Sequence, residues 1–345
     1  MKYSNNFPLI ALLTLVLLIF CNARFSNNDL ALSKNGASPL HYQWEQVLPF
    51  GNGSFQEKWK PGTFPLGLEP RVAFGGDLWM IGQKSAWSSR DGINWTQHKK
   101  QDWGERIWMS YAYFNNKLWM FGGMKYHEKQ TVNDSWSSAD GLHWEQVANH
   151  AEWSPRKEHT VIAFKDKLWL FSGSTDVSSD FTAKKLLNDI WSSKDGVHWT
   201  KELEEAPWVQ RDHPNMVVFK EELYMLGGQG KSDIWSSTDG KNWTQLYSEA
   251  PWGNRSDNGV LIFDNQLWIF GGRDTSINHH TAAKNDVWFS DNGSQWRKQT
   301  EHAPWTVRSG GMSVVFNNKL WIYSGKHTGG EYNWGGDVWT MSRDK

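Results

Sequence analysis

Five arginines occur in the same short motif, Trp-x-x-Arg, at intervals along the chain. They are Arg106, Arg156, Arg211, Arg255 and Arg308. A guanidinium group binds a carboxylate, sulfate or phosphate through paired hydrogen bonds. If the motif repeats in a ring of structural units, the five side chains form a cationic ring for an acidic ligand.

Two histidines lie close behind these arginines. His159 follows Arg156 by three residues, and His213 follows Arg211 by two. Histidine is suited to general acid–base chemistry near neutral pH. His159, His213 and Arg211 are therefore candidate catalytic residues. The alternative is that the two histidines are core residues whose hydrogen bonds are made within the protein.

A recurring aspartate offers a structural explanation for the arginines. One copy of the repeat has Ser85 in place of the aspartate and Leu66 in place of the arginine, so both residues are absent together. A buried charge without a partner is costly. The alternative prediction is an Arg–Asp pair within each repeat, which leaves guanidinium donors for a ligand. The aspartates are Asp134, Asp189, Asp233, Asp286 and Asp337.

Repeated strands must position these residues. The segment DIWSSKDGVHWT at Asp189–Thr200 recurs along the chain. It predicts two strands joined by a two-residue Asp-Gly turn. A second motif occurs in six copies, of which LWMFGG at Leu118–Gly123 is one. It predicts a buried strand that ends at glycine. An apolar strand ending in Phe precedes it. Each unit thus has four strands, a to d.

The units repeat about every 40 to 55 residues, which is typical of propeller blades. The double glycine after strand b, the Asp-x-Trp strand and the closing tryptophan resemble the kelch repeat across residues 41–345. The Ser-x-Asp-Gly-x-x-Trp hairpin also resembles the Asp-box turn. The combination is similar in kind to propellers of the N-acetylneuraminate epimerase type. This resemblance implies a fold and does not by itself imply an activity.

The two ends of the repeat region predict how the ring closes. The sequence from His41 to Val47 matches strand d, as in Trp144–Val147, and the last unit stops after strand c at Trp339. We therefore predict an all-β, six-bladed β-propeller of four-stranded antiparallel blades, closed by the N-terminal strand. Closure removes exposed sheet edges.

The b–c connections vary in length and are predicted to carry the binding surface. Long loops are expected at 124–133, 174–188, 273–285 and 326–336. They carry aromatic and imidazole groups suited to stacking on sugar rings, with ordinary loop decoration as the alternative. These residues are Tyr126, His127, His279, His280, His327, Tyr332 and Trp334.

Composition and motifs exclude several functions. The net charge of −1 argues against a nucleic-acid partner. No metalloprotease, phosphate-loop, serine-hydrolase or CxxC motif occurs, and His279-His280 lacks further ligands at diagnostic spacing. The copper chemistry of galactose oxidase, a kelch-type enzyme, needs a cysteine beside its tyrosine, and the only cysteine is Cys21. We expect no metal and no cofactor.

The N-terminus is predicted to direct export. An apolar run from Leu9 to Phe20 has the length of a signal sequence, which gives a signal peptide at 1–23 and a flexible leader at 24–40. The protein is expected to be a secreted or periplasmic monomer without a transmembrane segment. A lipid anchor on Cys21 is the alternative, disfavoured by bulky Phe20.

Two functions follow from these observations. The first is a binding module for a carbohydrate or protein on the face with the long b–c loops. The second is a cofactor-free mutarotase or epimerase that acts on an acidic sugar at the Arg-lined channel mouth. The contrast between uniform turns and variable loops favours the binding module over the enzyme.

Overall fold

Six antiparallel sheets follow one another along the chain in the computed structural model. The structure describes residues 41–49, 71–82, 85–100, 103–177, 185–275, 282–323, 325–327 and 337–344. Residues His41–Lys345 form one compact unit. Within the described ranges all regular structure is β-strand, and no helix there has the length and apolar composition needed to cross a membrane.

Each blade has four principal strands in the order a–b–c–d, and short additional strands extend the sheets of blades II and IV. The first three blades are I, with Arg71–Phe74, Asp77–Ile81, Ser85–Ser89 and Thr96–Lys100; II, with Ser110–Phe114, Lys117–Lys125, Gln130–Ser138 and Glu145–Ala148; and III, with Thr160–Phe164, Lys167–Ser174, Leu186–Ser193 and Thr200–Leu203. The others are IV, with Met216–Phe219, Glu222–Gly228, Lys231–Ser237 and Thr244–Tyr247; V, with Gly259–Phe263, Gln266–Phe270, Val287–Ser290 and Arg297–Thr300; and VI, with Met312–Phe316, Lys319–Tyr323, Val338–Arg343 and Tyr42–Leu48.

The N-terminal strand closes the ring as predicted. Tyr42–Leu48 pairs antiparallel with Val338–Arg343, so it serves as strand d of blade VI. Its Trp44 packs edge-on against Trp305, with ring centroids 5.9 Å apart. In blade II, Trp144 packs in the same way against Trp103. The protein is therefore a six-bladed β-propeller of four-stranded antiparallel blades.

The core is divided among the contacts between blades. Six apolar clusters each combine residues of two neighbouring blades. Trp191 and Trp199 of blade III, for example, share a cluster with Trp119 and Phe121 of blade II. The repeated tryptophans are thus mainly scaffold, because burial of large aromatic surface holds adjacent blades together.

Two kinds of turn connect the strands on the face opposite the variable loops, which we call the turn face. The a–b turns contain two successive residues with positive φ, such as Asn115 at 49° and Asn116 at 59°. This conformation matches the right-handed twist of the flanking strands.

The c–d turns differ from the two-residue turn predicted for Asp-Gly. In blade III the strands end at Ser193 and resume at Thr200, and the Asp195 carboxylate accepts the backbone N–H groups of Val197 and His198. Gly196 has a φ of 75°, and a Cβ there would collide with the Trp119 ring of blade II. The glycine is therefore required by its backbone angle and by close packing between blades.

Strand b also extends further than predicted in three blades. It continues through the glycine pair in blades II and IV and through Ser172-Gly173 in blade III, and in all three the register shifts by a β-bulge. In blade II the predicted long loop at 124–133 becomes a four-residue turn at 126–129, because Met124 and Lys125 pair with strand c. Arg106–Ile107 is a short strand that pairs with the end of strand b in blade II. The short strands Arg255–Ser256 and Arg308–Ser309 pair with residues that follow strand b in blades V and VI. We call the face with the d–a and b–c connections the loop face. Several of these connections contain short paired strands instead of irregular loops.

Candidate functional site

The five arginines of the Trp-x-x-Arg motif form buried ion pairs with the five recurring aspartates. Each pair is bidentate and lies within one blade. Arg156 Nη1 and Nη2 donate to Asp189 at 2.6 and 2.8 Å, and the other four pairs have distances of 2.6–3.0 Å. The five arginine residues are at most 2 % exposed. The structure thus has the geometry of the predicted Arg–Asp pair.

Further hydrogen bonds complete these pairs. The second oxygen of Asp189 accepts the indole N–H of Trp191, and Arg156 also donates to the carbonyl oxygen of Ser172. Burial opposes ionisation of Asp189, but the hydrogen bonds and charge of Arg156 outweigh it and hold the pKa of Asp189 below its usual value. The guanidinium groups fasten the segment before strand a to strand c, and their donors are largely used within the protein.

A ring of left-handed residues lies at the start of the innermost strands on the loop face. In each of blades II to VI, the residue two positions after the arginine has a positive φ between 47° and 63°. These mouth residues are Trp108, Glu158, His213, Asp257 and Gly310. Non-glycine residues rarely adopt this conformation, and such strain concentrates at functional sites.

Backbone hydrogen bonds join several mouth residues from blade to blade. Glu158 N–H donates to the carbonyl oxygen of Trp108 at 3.1 Å, and His213 N–H donates to that of Glu158 at 2.7 Å. Gly310 N–H donates to the carbonyl oxygen of Asp257 at 2.8 Å. The mouth residues therefore lie side by side around the propeller axis.

Acidic and basic side chains converge at the mouth between blades III and IV. Ligand atoms of Glu158, Asp212 and His213 all lie within 4.8 Å of one another. Glu158 and Asp212 are buried, whereas the His213 side chain is 35 % exposed. This donor set of two carboxylates and an imidazole could hold a small cation or exchange protons with a ligand.

The aromatic residue Trp108 is joined to Glu158 of this cluster, because its carbonyl oxygen accepts the Glu158 N–H. Trp108 is half-buried, and the ammonium group of Lys157 lies over its ring, 4.5 Å from the centroid. Lys157 itself is 2 % exposed. A cation over an indole face is a favourable contact that fixes the ring. The mouth thus combines an oriented aromatic surface with ionisable groups.

His159 occupies a different environment from His213. It is 5 % exposed and packs near Trp153, with ring centroids 5.6 Å apart. Neither ring nitrogen has a hydrogen-bond partner among the described residues. Burial, with a smaller contribution from the charge of Arg156, lowers the pKa of His159 from 6.5 to about 3. The imidazole is therefore neutral at physiological pH, which suits packing better than proton exchange.

The buried imidazole of His159 should make folding sensitive to mild acid. The unfolded chain binds a proton at His159 below pH 6.5, whereas the folded chain binds it only near a pKa of about 3. Stability is therefore lost as pH falls from 6.5 towards 3, by up to about 1.4 kcal/mol per pH unit. We expect urea denaturation of His159→Leu to show a shallower loss of stability between about pH 7 and pH 4.5 than the parent protein. Equal slopes in the two proteins would contradict the burial argument.

The predicted loop residues are only partly within the described structure. Tyr126 is 53 % exposed on the turn of blade II, and His127 Nε2 lies 2.8 Å from Glu105 Oε2. The backbone of His327 pairs with Arg308. The remaining candidates, His279, His280, Tyr332 and Trp334, lie outside the described residues.

Several residues at or beside the mouth were not identified from the sequence. Trp108, Lys157, Glu158, Asp212 and Asp257 all lie within two residues of an arginine of the motif. The available signal was the charged run that follows two of the arginines, Lys157-Glu158-His159 and Asp212-His213. Only the histidines of this run were predicted as candidate catalytic residues, because carboxylates and lysines are common on protein surfaces.

Comparison with known proteins supports the architecture. A family described as the DUF6242 beta propeller domain matches residues 138–255. No curated protein matches the chain. A solved structure titled "Structure of YjhT" aligns with a TM-score of 0.64 and 15 % sequence identity, and it covers 81 % of this chain and 98 % of its own. The chain is therefore similar in fold to YjhT, and similar in sequence to the DUF6242 beta propeller domain over about a third of its length.

Proposed function

We propose that this propeller binds a carbohydrate at the mouth of its loop face. The proposal rests on the convergence of Glu158, Asp212 and His213 within 4.8 Å, beside the half-buried residue Trp108, whose carbonyl oxygen accepts the Glu158 N–H. Small-molecule sites typically combine an apolar or aromatic surface with a few placed polar groups. A sugar ring presents an apolar face to such an indole and hydroxyl groups to such carboxylates.

A carbohydrate fits the described surface better than a protein partner does. Protein interfaces usually need a contiguous apolar patch. In the described part of the chain, the exposed large apolar side chains are spread over both faces. Tyr113 and Leu142 lie on the turn face, whereas Tyr126, Val177 and Val209 belong to connections of the loop face.

Binding can be tested with two variants that respect the left-handed backbone or the side-chain shape. We expect Trp108→Asn and Glu158→Gln each to weaken binding of a glycan identified on an array by at least about tenfold, measured by calorimetry. Asparagine tolerates the positive φ of position 108. The matched control is Tyr113→Ala on the turn face, which should bind normally. Unchanged affinity in both mouth variants, or no binding on a broad array, would contradict the proposal.

A second candidate is a cofactor-free mutarotase or epimerase for an acidic sugar. It is favoured by the presence of an imidazole and two carboxylates at one place, since proton transfer at a sugar carbon or ring oxygen needs a donor and an acceptor. Anomer exchange of glucuronic acid, followed by NMR, should then fall at least about a hundredfold in His213→Gln. An equal rate with and without the protein would reject catalysis and leave binding standing.

We also propose where the protein acts and which type of repeat builds its blades. The apolar run from Leu9 to Phe20 supports export of the protein to the periplasm or the cell exterior, and we propose that it acts there as a monomer. The double glycine after strand b and the Asp-capped c–d turns support assignment of the blades to kelch-type repeats with Asp-box-like hairpins.

A further inference from the structure

Blade IV carries a pocket on its loop face that is separate from the mouth residues. Its volume is about 280 Å³. Its lining comes from strand c, strand d and the d–a connections. Most of the lining side chains are polar. The lining residues are Val209, Arg211, Lys231, Ser232, Asp233, Gln245, Ser248, Glu249 and Asn254.

Arg211 differs from the other four paired arginines in its hydrogen bonds. In blades III and VI, Nη2 donates both to the aspartate and to a hydroxyl two residues earlier, on Ser154 or Thr306. In blades II and V the second acceptor of Nη2 is the carbonyl oxygen of Trp103 or Trp252. Blade IV has Val209 at the hydroxyl position, and Nη2 of Arg211 donates only to Asp233 among the described residues. One N–H of a guanidinium that is 2 % exposed therefore remains available where Arg211 lines the pocket.

At one position in the pocket lining, blade IV has the smaller Ser232 where three other blades have asparagine. In blades II, III and V this asparagine donates to two carbonyl oxygens of the next connection; Asn133, for example, donates to those of Ala151 and Trp153. His150 also contacts Asn133 and helps to fill the space. Blade IV has Ser232 and Glu249 at these two positions, and Ser232 Oγ donates only to Asn254.

The lining favours a ligand rich in hydroxyl groups. Arg211, Lys231, Gln245 and Asn254 offer donors, whereas Glu249 and the serine hydroxyls offer acceptors. Because Asp233 already balances the charge of Arg211, and Glu249 opposes that of Lys231, no large net charge selects an anion. A hydroxyl group both donates and accepts, so a polyol satisfies mixed groups better than a phosphate does.

We propose that the blade IV pocket binds one sugar ring, with a sugar oxygen accepting the available N–H of Arg211. A volume of about 280 Å³ lies just below the usual range of about 300–1,000 Å³ for larger ligands, which suits a single ring. This site does not depend on the mouth site proposed above. It would make the loop face bind a glycan at two places.

Two substitutions test the site without disturbing the fold, because each introduces the residue that other blades have at the equivalent position. Ser232→Asn restores the asparagine of blades II, III and V, and Val209→Ser supplies the hydroxyl that Arg156 has in Ser154. We expect each to weaken monosaccharide binding at this pocket by at least about tenfold, measured by NMR titration with galactose, N-acetylglucosamine and glucuronic acid. The neutral and acidic probes separate recognition of a hydroxyl from recognition of a carboxylate.

Tyr113→Ala on the turn face is the matched control, because this exposed side chain of blade II lies outside both sites and its loss should leave binding at blade IV unchanged. Thermal unfolding of Ser232→Asn and Val209→Ser should match the parent protein, since both copy contacts present in other blades. Unchanged affinity in both variants, or no binding of any of the three sugars to the full chain, would overturn the proposal. Loss of binding only in Glu158→Gln would support the mouth site and reject this one.

Discussion

Replacement of Arg156 by methionine should lower the free energy of unfolding by about 3–5 kcal/mol. The change leaves the Asp189 carboxylate, 13 % exposed, without the two hydrogen bonds that compensate its burial. It also removes the donor to the carbonyl oxygen of Ser172. Chemical denaturation followed by tryptophan fluorescence measures the effect.

A double variant separates the effect of the unpaired charge from the effect of lost packing. Arg156→Met combined with Asp189→Leu should be more stable than Arg156→Met alone, because the unpaired carboxylate is then gone. Glu204→Gln removes an exposed ion pair with Lys201 in the same blade and should change stability by less than about 1 kcal/mol. If the double variant is as unstable as the single one, packing rather than charge explains the loss.

Deletion of the chain through Leu48 should abolish folding of a stable monomer. The deletion removes strand d of blade VI and exposes the edge of Val338–Arg343. It also removes Trp44 from its packing against Trp305 and Tyr42 from its edge-on contact with Trp268. An exposed edge strand pairs with other chains, so light scattering after gel filtration should detect oligomers or aggregates.

Supplying the missing strand tests this explanation directly. A synthetic peptide of residues 41–48 should bind the truncated chain and raise its thermal unfolding temperature. Glu45→Ala in the full chain is the control, because this side chain is 67 % exposed and its contact with Lys319 contributes little. A truncated monomer with the parent unfolding temperature would show that ring closure is not needed for stability.

The fold and the ion pairs could be predicted because repetition makes each position visible several times. Asp189 and Arg156 recur with their neighbours in five blades and are absent together in the sixth. In the same way, the match of Trp44 to Trp144 predicted the pairing of strands from opposite ends of the sequence, which the structure confirms.

The mouth could not be predicted in the same way. Trp108, Glu158, His213, Asp257 and Gly310 share a left-handed backbone but no chemical property. Backbone hydrogen bonds between blades join several of them, and such contacts depend on tertiary structure. The two-residue interpretation of Asp195-Gly196 was wrong for a related reason: a side-chain carboxylate, rather than the backbone angles alone, shapes that turn.

The six apolar clusters have a consequence for cooperativity. In an open array of repeats, the two terminal units have one neighbour each and are the first to fray. In this ring every blade shares a cluster with a blade on both sides, so opening any one of them disrupts two clusters at once. A protein built from modular units thereby has no weak end from which unfolding can spread.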